Sequence, residues 1–369
     1  MGKIRELYRR FSPRVPVFAI VVFGLSLVSL LIHLLFYVST TFADGFNLTV
    51  SAFFRELLAR ISSIVPFSLA EALILLIIPL FVAALVYGFY LKDPIRQTRF
   101  ACLLLSFILL FYSSFVLTFA AGYRGSTLDR KMGIERRAVG ETELYGTALW
   151  LIDELENLSP EIVYDAEGAS VMPFGFDEMV GEIRVSYDSL RQKYDFLSYS
   201  SGEAKPVAMS RAMSYTNILG VYTFFTGEAN VNTNFNDFST VFTAAHEMAH
   251  QRGFAREDEA NMMAFLACMN SDVPYLRYAG CFEMLRYVLS ALSSTGSMYY
   301  AEAWYRMPEG ARSDQAVYAA RFAPYRDSVV GHVSGTINDT YLKLQGTAGQ
   351  KSYGLVVDLA VALYRMELD

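Results

Sequence analysis

The chain has 369 residues, of which 53% are hydrophobic and 18% are charged, and its net charge is −6 at pH 7. An average soluble domain is about 25% charged, and here the apolar residues crowd into the first 122 positions. This distribution excludes a single soluble globule and a disordered chain. No basic tract follows residue 122, so a nucleic-acid partner is not expected.

Three apolar runs, at residues 15–38, 67–90 and 100–122, are long enough to cross a bilayer. A helix needs about 20 apolar residues to span the hydrocarbon core. The first run is too long for a signal-peptide core, and no small-residue cleavage motif follows it closely, so we expect it to be retained. The sequence therefore predicts a membrane domain over residues 1–122, in contact with the lipid bilayer.

The second run begins with a pattern typical of a helix start. Ser68 and Glu71 match a capping box, in which each side chain satisfies a free backbone amide. Pro79 lies inside the run and is expected to kink the helix, because proline lacks a backbone donor. Glu71 is explained by the cap, and His33 in the first run lies close enough to a helix end to reach the membrane interface.

Basic residues in the short connecting segments predict the orientation. The N-terminal 14 residues and the segment between the second and third runs are basic, whereas the segment between the first two runs holds only Arg55 and Arg60. Basic segments tend to stay in the cytoplasm. We expect a multi-pass protein of the cytoplasmic membrane with its N-terminus inside and residues 123–369 outside. The basic residues are Lys3, Arg5, Arg9, Arg10, Arg14, Lys92, Arg96 and Arg99.

Residues 123–369 are predicted to form a second, mainly helical domain. The segment 205–232 differs, because its β-branched and aromatic residues broken by glycines predict one or two strands or a hairpin. The fold class is thus mainly α, with three transmembrane helices followed by an α-rich domain that carries a small β-sheet or hairpin. Apolar spacing predicts helices over 141–158, 176–197, 274–292 and 353–368, with further helix from Ser239 onward.

Residues 246–250 read His-Glu-Met-Ala-His, a spacing that predicts a metal site. On a helix, His246 and His250 share one face, so both imidazoles can bind one zinc ion. Glu247 falls beside them, where it can take a proton from a water that zinc activates.

A third protein ligand is expected just after this motif. Gly253 can end the helix and let the chain turn, and a second helix is predicted to begin near Arg256. Glu257 and Asn261 then share a face, so Glu257 could be the third ligand while Asn261 orients a ligating histidine. Glu259 is the fallback ligand. Acidic residues in a first helical turn can also serve only to stabilise the helix dipole.

These residues resemble the gluzincin class of zinc metallopeptidases. In that class a glutamate on the next helix is the third ligand, usually in an E-x-x-A-D-like pattern, which here reads Glu257-x-x-Ala260-Asn261. The chain departs from the class in having Asn261 where aspartate is usual, and in the short spacing from His250 to Glu257. A metzincin is rejected, because Arg256 stands where that class needs a ligand. The resemblance implies a zincin-like domain after the membrane domain.

A second resemblance covers nearly the whole chain. The three apolar runs, the block FTGEANVN at residues 225–232 and the block HEMAHQRGFAREDEAN at residues 246–261 are similar to an uncharacterised family of bacterial membrane proteins with a domain of unknown function. Segments at residues 338–343 and 352–359 fit the same family. The resemblance implies a zinc-dependent peptidase-like domain and no particular substrate.

Further residues are predicted to serve a peptidase site. Glu228, Asn230 and Asn232 alternate along a strand that precedes the motif helix. In gluzincin-like peptidases an edge strand there pairs with the substrate, so these residues are expected at a substrate strand or in support of the site, or else in an ordinary strand. The oxyanion of the reaction also needs a donor. The candidate donors are His332, Tyr341 and Tyr353.

Three cysteines are too few for a fold built on disulfides. Cys268 and Cys281 would both lie outside the cytoplasm, where a disulfide is chemically allowed. Two buried free thiols are the alternative, since unpaired cysteine is among the most buried residue types. The sequence leaves this choice open.

The leading functional prediction is a membrane-anchored zinc metallopeptidase that hydrolyses peptide bonds outside the cytoplasmic membrane. Its substrate would be a peptide, a protein or a component of the cell envelope. One alternative is a zinc amide hydrolase acting on the envelope. The other is a non-catalytic membrane protein that uses zinc for stability or to bind partners, although Glu247 argues against it, because a structural site needs no base.

Overall fold

A computed structural model describes residues 14–296 and 298–368, with the side chain of Tyr353 left out. The basic residues Lys3, Arg5, Arg9 and Arg10 lie outside these ranges. The chain is mainly helical with one small sheet, as predicted. The helices are α1 (Val17–Val38), α2 (Thr40–Phe46), α3 (Ala52–Ser62), α4 (Leu69–Tyr90), α5 (Pro94–Thr118), α6 (Leu128–Met132), α7 (Glu141–Leu158), α8 (Phe176–Lys193), α9 (Ser210–Ser214), α10 (Asp237–Gln251), α11 (Glu257–Met269), α12 (Pro274–Ser294), α13 (Met298–Arg306), α14 (Glu309–Arg326), α15 (Val329–Leu344) and α16 (Val356–Leu368). The strands are β1 (Ala204–Pro206), β2 (Gly220–Thr223) and β3 (Glu228–Val231).

Three of the described helices, α1, α4 and α5, are long and apolar enough to cross a membrane. The third apolar run was predicted over 100–122, but α5 begins at Pro94. The carboxylate of Asp93 accepts a hydrogen bond from the Ile95 N–H at 2.8 Å, and proline suits the first helical turn, so the helix starts before the apolar residues do. It ends at Thr118, because the chain then tightens into a 3-10 turn, Ala120–Tyr123.

Other boundaries also shift by a few residues. α7 covers the predicted range and α12 extends slightly beyond it. α8 ends at Lys193 rather than residue 197, and α16 begins at Val356 rather than residue 353, after a 3-10 helix over Gly349–Leu355. Cys268 and Cys281 are buried free thiols, which answers the question that the sequence left open.

The segment between α1 and α4 is helical and packs against the large domain. A π-helical turn, Asn47–Ser51, joins α2 to α3. Within α3, Arg55 is only 2% exposed, and its guanidinium donates to the carbonyl oxygens of Gln251 (3.1 Å) and Thr118 (2.9 Å). It also donates to the side chain and the carbonyl of Asn47, at 2.8 and 3.0 Å. One side chain thus joins the connector, the end of α5 and the end of α10.

No ion pair joins Arg55 to a carboxylate among the described residues. Burial lowers the pKa of Arg55 to about 10, so it stays charged at neutral pH. Its charge is balanced by carbonyl dipoles, including those at the C-terminal end of α10. Gly253 has φ +98°, and a Cβ there would lie 2.6 Å from Arg55 Nη2, so glycine is needed at this turn.

The start of α4 is joined to the small sheet. Ser68 caps the helix by accepting from the Glu71 N–H at 2.9 Å, as predicted, but the second half of the capping box is missing. The Glu71 carboxylate instead accepts from the backbone N–H groups of Ala208 and Met209, both at 2.8 Å. Glu71 therefore links the membrane helix to the segment after β1. α4 continues as one helix through Pro79.

The strand order is β1-β3-β2, with β1 parallel and β2 antiparallel to β3. β3 is the central strand, so the prediction that Glu228, Asn230 and Asn232 form a substrate strand is wrong: its backbone is paired on both sides. Glu228 accepts from the N–H groups of Leu69 (3.0 Å) and Ala70 (2.7 Å).

The other two residues of this group also have structural partners. Ser68 Oγ donates to Asn230 Oδ1 at 2.6 Å, so Asn230, like Glu228, holds the start of α4. Lys205 of β1 forms an ion pair with Glu228 at 2.8 Å. Asn232 donates to the Ile218 carbonyl at 3.1 Å and fixes the chain just before β2. All three are buried.

Replacing Arg55 should loosen the joint between the membrane helices and the large domain. Arg55→Met leaves several buried carbonyls without a donor, so we expect the free energy of unfolding to fall by about 2–4 kcal/mol. Denaturant unfolding in detergent measures this. Arg60→Met, on the exposed end of the same helix, is the control and should leave stability unchanged. Equal free energies of unfolding in the two variants would refute the role assigned to Arg55.

Candidate metal centre

Helix α10 carries the His-Glu-Met-Ala-His motif in the interior of the domain. Every residue of this helix from Phe238 to Gln251 is buried, so the motif does not lie on a solvated face. The rings of His246 and His250 stand perpendicular, with centroids 4.7 Å apart. The spacing of four residues therefore places both imidazoles side by side, as predicted.

The chain turns at Gly253 and returns as α11, which brings Glu257 to both histidines. Glu257 Oε2 lies 3.1 Å from His246 Nε2 and 3.6 Å from His250 Nε2. One ligand atom from each of these three residues lies within 4.8 Å of the others, a grouping that could hold a metal ion.

Glu259, the fallback ligand, turns away from the histidines. It accepts from the Leu128 N–H at 3.0 Å and pairs with Arg256 at 3.2 Å. Burial raises the pKa of Glu259 to about 7. Its carboxylate thus caps the start of α6 and does not point at the two histidines.

Hydrogen bonds on the far side of each ring orient the two histidines. His246 Nδ1 lies 2.7 Å from Asn261 Oδ1, and His250 Nδ1 lies 2.5 Å from the Phe254 carbonyl. The Asn261 amide is itself oriented, because its Nδ2 donates to the Tyr287 hydroxyl at 3.3 Å. Both partners of the rings are acceptors, so each Nδ1 carries a proton and each Nε2 points at Glu257. This is the arrangement that metal-binding histidines adopt.

The electrostatics of the three residues suit a cation. Burial opposes the charge on Glu257, but hydrogen bonds from His246 and His250 outweigh it and lower its pKa to about 2. Burial likewise disfavours charge on His250, but the Glu257 carboxylate raises its pKa to about 9. The site therefore favours positive charge beside a carboxylate. Two imidazole nitrogens and one carboxylate oxygen are also a donor set that zinc accepts.

Glu247 lies beside this group, and its carboxylate accepts a hydrogen bond from the Tyr222 N–H but is not fully satisfied. Its Oε2 is buried and has no hydrogen-bond partner among the described residues. Burial raises the pKa of Glu247. A Cβ at Gly220 would lie 2.5 Å from Glu247 Oε1, so β2 can approach the carboxylate this closely only with glycine there. A carboxylate with one unpaired oxygen thus lies beside the three potential metal ligands.

A cavity of about 960 Å³ opens over the centre, between β2, α10 and α15. Of the candidate oxyanion donors, His332 and Tyr341 line it. His332 is exposed, whereas Tyr341 is half-buried and its hydroxyl lies 3.2 Å from that of Tyr123. Burial raises the pKa of Tyr341 to about 12, so it can donate a proton in a hydrogen bond at neutral pH. The side chain of Tyr353 lies outside the described part of the chain.

Three aromatic residues of the site were not predicted. The Phe119 ring lies 5.6 Å from that of His250, and the Tyr222 ring lies 6.2 Å from it. Tyr287 holds the Asn261 amide from α12. All three line the cavity. No spacing rule connects them with the motif, because each belongs to a different element; only the aromatic character of the segment before Glu228 was visible in the sequence.

The chain belongs to the family described as "Protein of unknown function (DUF3810)", which it matches over residues 46–361. This confirms the predicted membership of a family of unknown function, and the family description names no activity. No curated protein and no solved structure matches the chain.

The role of Asn261 can be tested by metal binding. Asn261→Ala removes the acceptor that orients His246, so we expect the affinity for zinc to fall about 10–100-fold. Asn261→Asp keeps an oxygen at the same place and should bind at least as tightly as the unmodified protein. Competition with a chromophoric chelator measures both affinities. Unchanged affinity in the alanine variant would show that the hydrogen bond is not used.

Proposed function

We propose that the protein is a membrane-anchored zinc metallopeptidase that hydrolyses peptide bonds outside the cytoplasmic membrane. One observation above all supports this: His246, His250 and Glu257 offer ligand atoms within 4.8 Å of one another, beside a buried Glu247 whose Oε2 has no partner among the described residues. A purely structural site would have no use for that carboxylate.

The ligand set is that of a catalytic rather than a structural zinc site. Structural zinc is held by four protein ligands, whereas catalytic zinc takes three and leaves a position open. The described residues group three ligands here, and a cavity of about 960 Å³ adjoins them. When bound, zinc would supply a Lewis acid that polarises the scissile carbonyl and acidifies water.

The protein side chains then have separate roles. Glu247 takes the proton of the attacking water at Oε2 and passes it to the leaving nitrogen. Burial raises its pKa, which brings the carboxylate towards the range where it can both accept and return a proton. Tyr341 is preferred over His332 as the donor for the oxyanion, because its side chain is less exposed to solvent. Its hydroxyl also forms a hydrogen bond with that of Tyr123.

The edge strand β2 beside the centre favours a polypeptide substrate. Leu219 accepts from the Asn232 N–H at 2.8 Å, and in antiparallel pairs the bonded residues alternate. Gly220 and Tyr222 therefore turn their backbone groups away from β3, and on that side the Tyr222 N–H donates to the Glu247 carboxylate. An extended chain can pair with such an edge, so we propose β2 as the substrate strand in place of the strand residues Glu228, Asn230 and Asn232.

The orientation in the membrane is also part of the proposal. The large domain contacts α4 and α5 at Leu69, whose N–H donates to Glu228, and at Thr118, whose hydroxyl donates to the Phe224 carbonyl. The opposite end of α4 and α5 carries the basic segment Lys92–Arg99. Basic connecting segments tend to remain in the cytoplasm, so the domain is expected on the outer side.

Metal content tests the ligand set. We expect about one zinc per chain in the detergent-purified protein, with its loss from His246→Ala and from Glu257→Gln, because three ligands are the minimum of such a site. Glu259→Gln is the matched control and should keep the metal. Loss of zinc from the Glu259 variant but not from the Glu257 variant would overturn the assignment.

Activity tests the role of Glu247. Glu247→Gln should keep zinc but lower the rate of cleavage of a degenerate fluorogenic peptide library by about 10²–10⁴-fold, the usual contribution of a general base. Mass spectrometry of the products confirms that peptide bonds are cut. A zinc-loaded protein that cuts no peptide, or a Glu247→Gln variant that is fully active, would contradict the proposal.

A further inference from the structure

The metal centre lies at the end of a membrane helix. Phe119 is the first residue after α5, and its ring lies 5.6 Å from His250 and 5.1 Å from Tyr222. A helix rises 1.5 Å per residue, so Phe119 is level with the end of α5, and the apolar run of the sequence continues to residue 122. The centre is thus one side chain away from the level of the lipid headgroups.

The turn between β2 and β3 reaches further down the same helix. The rings of Phe224 and Phe225 lie 4.7 and 5.1 Å from that of Phe111. Phe111 precedes Thr118 by seven residues, which places it about 10 Å below the end of the helix. The tip of this turn therefore lies level with the apolar part of α5.

β2 consequently runs from the centre towards the membrane. Gly220, at its start, lies against Glu247, while Thr223, at its end, is followed by the two phenylalanines that contact α5. The edge of β2 that faces away from β3 has the same direction. An extended chain paired with this edge would pass Glu247 and continue at one end into the bilayer.

Helix α15 forms the other rim of the cavity and carries exposed apolar side chains on its outer face. Tyr341 packs on Phe115 of α5, with ring centroids 6.4 Å apart, so α15 adjoins the membrane helices. Positions four or so residues apart share one helical face. The exposed apolar residues of that face are Val329, Val333, Ile337 and Leu344. Continuity with α5 indicates that the bilayer surface covers this face.

We propose that the cleft opens at the bilayer surface and that its substrate is the extended polypeptide segment that directly adjoins a membrane-spanning helix of another protein. This inference rests on the proposed peptidase function. The reaction is hydrolysis: water supplies OH to the carbonyl carbon and H to the leaving nitrogen as the C–N bond breaks. A polypeptide is favoured over other membrane-bound amides, because only a peptide backbone matches the alternating groups of a strand edge.

The depth of the cleft can be measured without any activity. Both labelled proteins carry Cys102→Ser, and a fluorophore is attached at Ile337→Cys on the rim of the cavity. The control carries the fluorophore at Val163→Cys, which follows α7 and has a similar exposed fraction (68% against 65% for Ile337). Nitroxide-labelled lipids in liposomes should quench the rim position at least about twofold more, since interfacial helices sink about 5–10 Å into the headgroup region. Equal quenching of the two positions would overturn the inference.

Substrate choice is tested with the zinc-loaded full chain in liposomes. One probe is a leucine-alanine membrane helix followed by a degenerate segment of about 30 residues, and the other is the same segment free in solution. We expect cuts within about 10 residues of the helix end, the length that β2 and its turn can cover. The tethered probe should also be cut roughly tenfold faster than the free one, through its higher effective concentration.

The two hypotheses fail in different ways. Cuts spread evenly along the tethered segment, or equally fast cutting of the free segment, would overturn the membrane-surface substrate and leave the peptidase intact. A zinc-loaded protein that cuts neither probe would overturn the peptidase function, and the inference with it. Because tethering alone raises the rate, the position of the cuts is the deciding measurement.

Discussion

A buried arginine that pairs with no carboxylate in the described part of the chain is a central contact between the membrane helices and the large domain. Moving a charge out of water is costly unless polar groups replace the lost hydration, and Arg55 recovers it from carbonyl oxygens of the connector, α5 and α10. These carbonyls meet only when all three elements are in place. The buried charge therefore favours one relative position of the membrane helices and α10, and this position also places the candidate metal centre.

Contacts from several elements also determine the geometry of the candidate site. α10 supplies three functional side chains in five residues, but their directions are set by other elements: Asn261 of α11 and the Phe254 carbonyl turn the rings, and Gly220 of β2 leaves room for Glu247. Each outside contact acts on a different atom. Precision at the site thus comes from the packing of the domain more than from the motif.

Much of this could be predicted from the sequence where the signal is local. Hydropathy located the three membrane helices, and helical spacing placed Glu257 and Asn261 on the face that meets His246. The start of α5 was missed, although Asp93 and Pro94 form a typical helix beginning. The role of Glu228 and Asn230 could not be predicted. Alternation shows that these residues share a face of the strand, but it does not show that this face meets the start of α4. The contact of Phe119 with His250 joins distant parts of the chain, so no local pattern could reveal it.

The cap on α4 has a consequence for how the protein is made. A membrane helix begins with backbone N–H groups that lack partners within the helix, and in α4 those of Leu69 and Ala70 are satisfied by Glu228. The ribosome completes α4 long before it reaches β3. Until then these groups depend on water or on another protein at the membrane surface. The start of α4 therefore reaches its final set of hydrogen bonds only after the sheet has formed.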